Sequence, residues 1–203
     1  MSAGRLARIA GGLYLVNILA GAYAIGYVEA AVTNIHAQEL LFRSGIAAHV
    51  VVTMTNVPLA LIFYELFKVV NRRVALLFVF FTLVATAIED SGIVIQLTAF
   101  NFDVANPAYN VSAVFFGGDA LAIGYLIYRS TFLPRLIGVL MAIDGVAYIA
   151  NSFTTFLAPG FAAHLVPYIE LPTLVGEGGL TLWLLFAGIN VARWERVAQE
   201  KSQ

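Results

Sequence analysis

The sequence contains no cysteine. Disulfides, thiolate metal sites and cysteine nucleophiles are therefore excluded. Charge is scarce as well: Asp, Glu, Lys and Arg make up 11% of the 203 residues, against about a quarter in an ordinary soluble domain. There is no basic excess, the formal net charge being −1 and the isoelectric point near 6.3. A nucleic-acid partner, which needs a basic face, is not indicated. What the chain has instead is apolar surface, with 61% hydrophobic residues and a mean hydropathy of +0.87. A soluble domain of this size could not hide so much apolar area, since much of any small domain faces solvent. The composition excludes a water-soluble globule and a disordered chain. It points to an integral membrane protein with the lipid bilayer as its surroundings.

Six stretches are long enough to cross about 30 Å of hydrocarbon as helix. They are residues 9–28, 44–67, 74–100, 111–128, 133–157 and 167–191. The expected fold class is all-α: one transmembrane domain over residues 1–203, built as a bundle of six helices. Turn and polar residues separate the stretches: Asn71-Arg72-Arg73, Asn101 to Asn110 with Pro107, Arg129-Ser130 and Ala158-Pro159-Gly160. Connections this short predict an up-and-down bundle of sequential neighbours.

Basic residues orient such a bundle. With the N-terminus in the cytoplasm, Arg5, Arg8, Lys68, Arg72, Arg73, Arg129, Arg135, Arg193, Arg196 and Lys201 all lie inside. That is 10 of the 11 Lys and Arg, and only Arg43 lies outside. The expectation is a multi-pass protein of the cell membrane with both termini cytoplasmic. The first stretch also has the look of a signal peptide, since Arg5 and Arg8 precede an apolar run and Ala22-Tyr23-Ala24 fits a cleavage site. Asn17 in its middle and a run of about 20 apolar residues favour a retained helix.

The polar interruptions carry more information than the apolar majority. His49, Glu89, Asp90, Asp119, Asp144 and Glu177 fall within expected spans, and Glu170 falls near the outer end of the sixth. An ionised carboxylate in a span costs about 2.5–3.5 kcal/mol on insertion scales. No Lys or Arg lies mid-span to pair with them. They must be protonated, hydrated in a cavity, hydrogen-bonded or neutralised by a bound cation. Helical spacing sorts them into stripes: His49, Thr53 and Asn56; Thr82, Thr86, Glu89 and Gln96; Asp144, Tyr148, Asn151 and Thr155; Glu170, Thr173, Glu177 and Thr181. The first span offers Tyr14 and Asn17, and the fourth offers Ser112 and Asp119. Lipid cannot satisfy such stripes, so they should face the bundle interior. Glu89 and Asn151 fall in the outer halves of their spans, Asp119 and Glu177 nearer the midplane. The inner halves, such as Leu61-Ile62-Phe63 and Trp183 to Phe186, are apolar. The expected site is an acidic pocket open to the outer face, formed by His49, Glu89, Asp119, Asp144, Asn151 and Glu177.

Three functions fit such a pocket. The first is binding or transport of a cation or a small cationic ligand. The second is a metal-dependent intramembrane enzyme with His49, Glu89, Asp119 and Glu177 as ligands and a carboxylate as base for a metal-bound water. One imidazole with several carboxylates suits a divalent metal such as zinc, manganese or iron, although the spacing matches no established metal motif. The third is a structural or accessory protein whose polar stripes hold the bundle together. His36 and His164 fall in outer loops and are read as solvated. Glu89-Asp90-Ser91-Gly92 either breaks the third helix, exposing carbonyls that also coordinate cations, or ends its apolar span in interfacial water. Asn56-Val57-Pro58 reads as a kink in which Asn56 satisfies a freed backbone group. No G-x-S-x-G and no phosphate-binding glycine loop occurs. The substrate is not legible, and the composition is compatible with a homo-oligomer.

Several segments in order carry a family likeness. They are Leu41-Phe42-Arg43-Ser44-Gly45-Ile46-Ala47-Ala48, Val70-Asn71-Arg72, Thr86-Ala87-Ile88-Glu89, Gly124-Tyr125-Leu126-Ile127-Tyr128-Arg129-Ser130, Phe132-Leu133-Pro134-Arg135-Leu136-Ile137-Gly138-Val139-Leu140, Leu157-Ala158-Pro159-Gly160 and Gly176-Glu177. Their order and spacing resemble the bacterial membrane family called domain of unknown function 4386, over about residues 5 to 190. The F-L-P-R-x-x-G-V-L segment is the most specific part. The resemblance implies a six-helix membrane fold, no assigned activity, and family-typical acidic positions at Glu89 and Glu177. The loop before the fourth span is short here and the family's His-Gly segment is absent, which implies an altered site if that histidine contributes.

Overall fold

The computed structural model describes residues 1–103 and 106–200. Lys201, one of the expected cytoplasmic bases, lies outside the described residues, which are helical and contain no strand. Among the described residues, five helices are long and apolar enough to cross a membrane: α1 (Ala3–Ala31), α2 (Glu39–Ala99), α3 (Asn106–Arg129), α4 (Arg135–Leu157) and α6 (Tyr168–Ala187). Two shorter ones, α5 (Pro159–Leu165) and α7 (Val191–Glu200), lie before and after α6. The second and third expected stretches are thus arms of a single helical run of 61 residues.

That run reverses direction at Asn71, where φ is −152° and ψ is 106°. The Asn71 side chain explains how. Its Oδ1 accepts hydrogen bonds from the backbone N–H groups of Arg73 (3.1 Å) and Val74 (3.2 Å) and so caps the second arm. Contacts between the arms then step away from the turn in antiparallel order: Phe63 against Phe78, Asn56 against Thr86, and His49 against Glu89. Two expectations for these arms are corrected. Glu89 to Gly92 does not interrupt the second arm, which stays helical to Ala99. Asn56 donates to Thr86 Oγ1 (3.1 Å) across the arms rather than to backbone freed by Pro58. Departures from α-geometry fall elsewhere, as π-helical turns at Ala22–Val28 in α1 and Trp183–Ala187 in α6. Gly188, at φ +68° and ψ −145°, ends α6 in a conformation that a side chain would strain. Asn190 then caps α7 through the N–H of Arg193.

The helices close a ring. α1 packs on α2, α2 on α3, α3 on α4, α4 on α6, and α6 returns to α1. The main core sits at the end that holds the chain N-terminus and α7. There Phe63, Leu66, Phe67, Leu126, Ile127 and Leu184 are buried together. A smaller cluster of Phe42, Ile46 and Ile93 caps the opposite end. Large apolar side chains around the outside, including Met54, Leu61, Phe80, Val94 and Leu136, are exposed. A belt of this kind marks a surface made for an apolar environment. α7 crosses the core end, its Trp194 Nε1 donating to the Leu66 carbonyl (2.8 Å) and Arg193 to the Thr131 carbonyl (3.1 Å).

The α3–α4 crossing is set by glycines spaced seven apart on each helix: Gly117 and Gly124 against Gly138 and Gly145. A Cβ on Gly138 would lie 2.6 Å from the Tyr128 backbone nitrogen, and one on Gly117 would lie 2.7 Å from the Gly145 carbonyl oxygen. Backbone contact of this closeness is the usual use of small residues between membrane helices. By contrast, a Cβ on Gly12 would meet nothing within 4 Å. Gly138→Ala is therefore expected to destabilise the protein by about 1–3 kcal/mol, while Gly12→Ala leaves stability unchanged or raises it by up to about 1 kcal/mol. Thermal unfolding of both variants in detergent, followed by circular dichroism, measures the contrast.

Candidate functional site

The ring of helices encloses a cavity of about 610 Å³. Glu89, Asp119, Glu170 and Glu177 line it, and among the described residues no Lys or Arg does. Its floor is apolar and aromatic, formed by Leu59, Phe63, Phe78, Ile123 and Leu180, directly above the main core. At the other end the lining includes the exposed residues Ile25, Tyr109, Pro167 and Glu170.

Each polar residue reaches its place through a helical stripe. Asn17 projects from α1 toward the first arm of α2, where its Nδ2 lies 3.0 Å from the Val52 carbonyl and 2.9 Å from both Thr55 Oγ1 and Asn56 Oδ1. Asn56 passes the chain on to Thr86 in the second arm. One face of that arm therefore carries Thr82, Thr86 and Glu89, as helical periodicity requires. Thr82 Oγ1 lies 2.8 Å from Asp119 Oδ2, joining α2 to α3. Glu177 on α6 accepts a long hydrogen bond from the Tyr148 hydroxyl of α4 (3.5 Å).

Glu89 is divided between two environments. Its Oε1 lies 2.8 Å from His49 Nε2, in a pair whose side chains are only 6% and 12% exposed. Its Oε2 is buried without a partner, although Glu89 lines the cavity. Asn151 also lines the cavity and its Oδ1 likewise has no partner. Both are acceptors left without a donor.

Four of the six expected pocket residues, Glu89, Asp119, Asn151 and Glu177, line this one cavity. The other two do not. His49 stands behind Glu89, because its ring is turned into the contact between the two arms of α2. Asp144 is fully buried between α4 and α6, where its Oδ1 accepts from Thr173 Oγ1 at 2.6 Å and its Oδ2 has no partner. The four-ligand metal centre of His49, Glu89, Asp119 and Glu177 is not assembled. Among the described residues no group of three or more His, Cys, Asp or Glu is placed to hold a metal ion. The physical reason is dispersal. His49 and Glu89 pair at one level, Asp119 is engaged by Thr82 two helical turns below, and Glu177 approaches from α6. His36, stacked on Phe100, and His164, bonded to the Gly160 carbonyl, are exposed and outside the site.

Sequence reasoning missed Tyr109 and Phe116. Tyr109 reads as an interfacial aromatic, yet Tyr109, Ala113, Phe116, Asp119 and Ile123 line the cavity in one stripe of α3. Extending the stripe from Asp119 in both directions at helical spacing finds them. Ser112, the other residue expected on that stripe, is buried and bonded to the Tyr109 carbonyl instead.

The comparisons with known proteins add no activity. An uncharacterized protein of Archaeoglobus fulgidus is 27% identical over 139 residues, which is 68% of this chain and 79% of that protein. That relative is archaeal, so the likeness does not restrict the chain to bacteria. No solved structure matches it. The family model described as Domain of unknown function (DUF4386) matches residues 9–103 and 92–188. With nearly the whole helical bundle covered by these two matches, the chain belongs to the DUF4386 family.

Proposed function

We propose that the protein is a membrane-embedded binding protein or carrier for a cation or small cationic molecule, held in an acidic cavity within the bundle. The observation that carries this reading is the make-up of the cavity wall: four Asp or Glu side chains and, among the described residues, no Lys or Arg. A buried site of one sign favours ligands of the other, because the low-dielectric surroundings strengthen the attraction. The unpartnered acceptors Glu89 Oε2 and Asn151 Oδ1 support the same sign.

In this reading the two arms of α2 are separate spans, giving six crossings of the bilayer. Arg5, Arg8, Lys68, Arg72, Arg73, Arg129, Arg135, Arg193 and Arg196 then share the cytoplasmic side of the cell membrane with both termini. The cavity opens to the outside, and its aromatic floor faces the cytoplasm. The accessory reading draws on a different observation. Asn17, Asn56 and Thr86 hydrogen-bond to one another across helices, which is what bundle-holding stripes would do.

Two measurements test the proposal. A cation that occupies the site at a hundred times its Kd should stabilise the purified protein by about 2.7 kcal/mol, and Glu177→Gln should remove that gain. Thermal shift across inorganic and organic cations measures it, and no stabilisation by any of them would sink the reading. Orientation is separable, because the natural chain has no cysteine to interfere. Single cysteines replacing His36 or His164 should react with a membrane-impermeant maleimide on intact cells, and cysteines replacing Arg72 or Arg196 should not. The opposite labelling pattern would invert the topology.

A further inference from the structure

The acidic groups of the cavity are not one cluster but two layers. Thr82, which engages Asp119, and Glu89 lie on the same arm of α2, seven residues and therefore about 10.5 Å apart along the axis. The spacing repeats on α4, where Asp144 and Asn151 are also seven residues apart. Glu177 belongs to the deeper layer, since Thr173, one turn before it on α6, is bonded to Asp144. The deep layer thus holds Asp119 and Glu177, and the shallow layer holds Glu89 and Asn151. Between them the wall mixes apolar side chains, Ala113 and Phe116 from α3 and Ala147 from α4, with the polar Asn56 and Tyr148.

A metal ion needs several oxygens converging within about 2–2.6 Å of one point. Neither layer supplies that, and no such group exists among the described residues. The shallow layer has a second feature that points to a ligand. Glu89 is 94% buried, lines the cavity, and leaves Oε2 without a hydrogen-bond donor, as Asn151 leaves its Oδ1. Unpartnered acceptors at one level, carboxylates two turns deeper and apolar surface such as Phe116 and Ala147 between them complement a molecule with an ammonium at each end of a methylene chain. The volume of about 610 Å³ lies within the range of small-molecule sites.

We propose that the ligand of the cavity is a linear aliphatic diamine or polyamine, one ammonium seated at Asp119 and Glu177 and the other at Glu89 and Asn151. This rests on the cation-binding reading and narrows it to a dication of defined length. The N–H groups of the outer ammonium satisfy the two free acceptors, and the methylenes lie against Phe116. Two linked ammonium groups bind cooperatively when their separation matches that of the two sites.

The test is a titration of the purified full-length protein in detergent with alkylamines, with diaminoalkanes from diaminobutane to diaminodecane, with spermidine, and with magnesium, calcium and zinc chlorides. Expected is an affinity that peaks at an intermediate diamine length and there exceeds that of the matching monoamine by about tenfold or more. Glu89→Gln and Asp119→Asn should each flatten the length dependence, with folding checked by monodispersity and melting temperature. The wild-type series decides the matter even if a variant fails to fold. Monoamines binding as tightly as every diamine, with no optimum, would overturn the inference and leave a simple cation site. Stabilisation by a metal ion with no response to amines would do the same. No response to any cation would remove both this inference and the reading beneath it.

Discussion

A carboxylate on a helix surrounded by hydrocarbon must take its hydrogen bonds from the protein, because lipid offers none. The ring of helices is arranged around that requirement. Asn17 ties α1 to α2, Asn56 and Thr86 tie the arms of α2, Thr82 meets Asp119 of α3, and Thr173 of α6 meets Asp144 of α4. At the two remaining seams glycine brings the backbones into contact. α3 and α4 meet backbone to backbone at Gly117, Gly124, Gly138 and Gly145, and α1 meets α6 at Gly11, where a Cβ would lie 2.6 Å from the Leu185 nitrogen. Polar seams and glycine seams together close the ring.

Magnitudes separate the residues that hold the bundle from those that need another explanation. An interhelical hydrogen bond in a membrane contributes about 0.6–2 kcal/mol. A carboxylate near the centre of a span costs about 2.5–3.5 kcal/mol when ionised. Asparagine and threonine make the same helix-to-helix bonds at lower cost, as Asn17, Asn56 and Thr86 do here. Bundle-holding therefore accounts for those three residues but leaves Asp119 and Glu177 unexplained. A structural role alone would be served by amides, and the cation-binding proposal is what gives the acidic wall a purpose.

Much of this was legible in the residues, and the failures have definite causes. Apolar length located the helices, and stripe spacing turned Glu89, Asp119, Asn151 and Glu177 inward, where they line one cavity. Periodicity assigns a residue to a face but not to one side of a neighbour. That is why His49 and Asp144, correctly placed on interior stripes, end in helix-helix contacts behind the wall. The metal centre failed for a related reason, because a stripe says nothing about whether groups on different helices converge. The Glu89 to Gly92 segment looked like a break because acids and glycine are poor company in a span. His49 and the packing of Ile93 keep it helical. Asn71 is the reverse case: a single polar residue in a short basic turn, sufficient to cap the second arm by its own side chain.

The two ends of the cavity are unequal, and the inequality bears on what the site can do. Below Phe63 and Phe78 the side chains of Phe67 and Phe132 continue an aromatic stack into the main core. α7 is fastened over that end by Trp194, whose indole N–H donates to the Leu66 carbonyl. Passage of a ligand through the floor would require these rings and that helix to move together. Entry at the other end requires nothing comparable, because Glu170 and Tyr109 already reach solvent. On the cation-binding proposal, such a cavity would be loaded from one side and sealed on the other, either a receptor at rest or one end-state of a carrier whose second state must rebuild the floor. The aromatic stack above α7, rather than the acidic wall, is then where the difference between binding and transport resides.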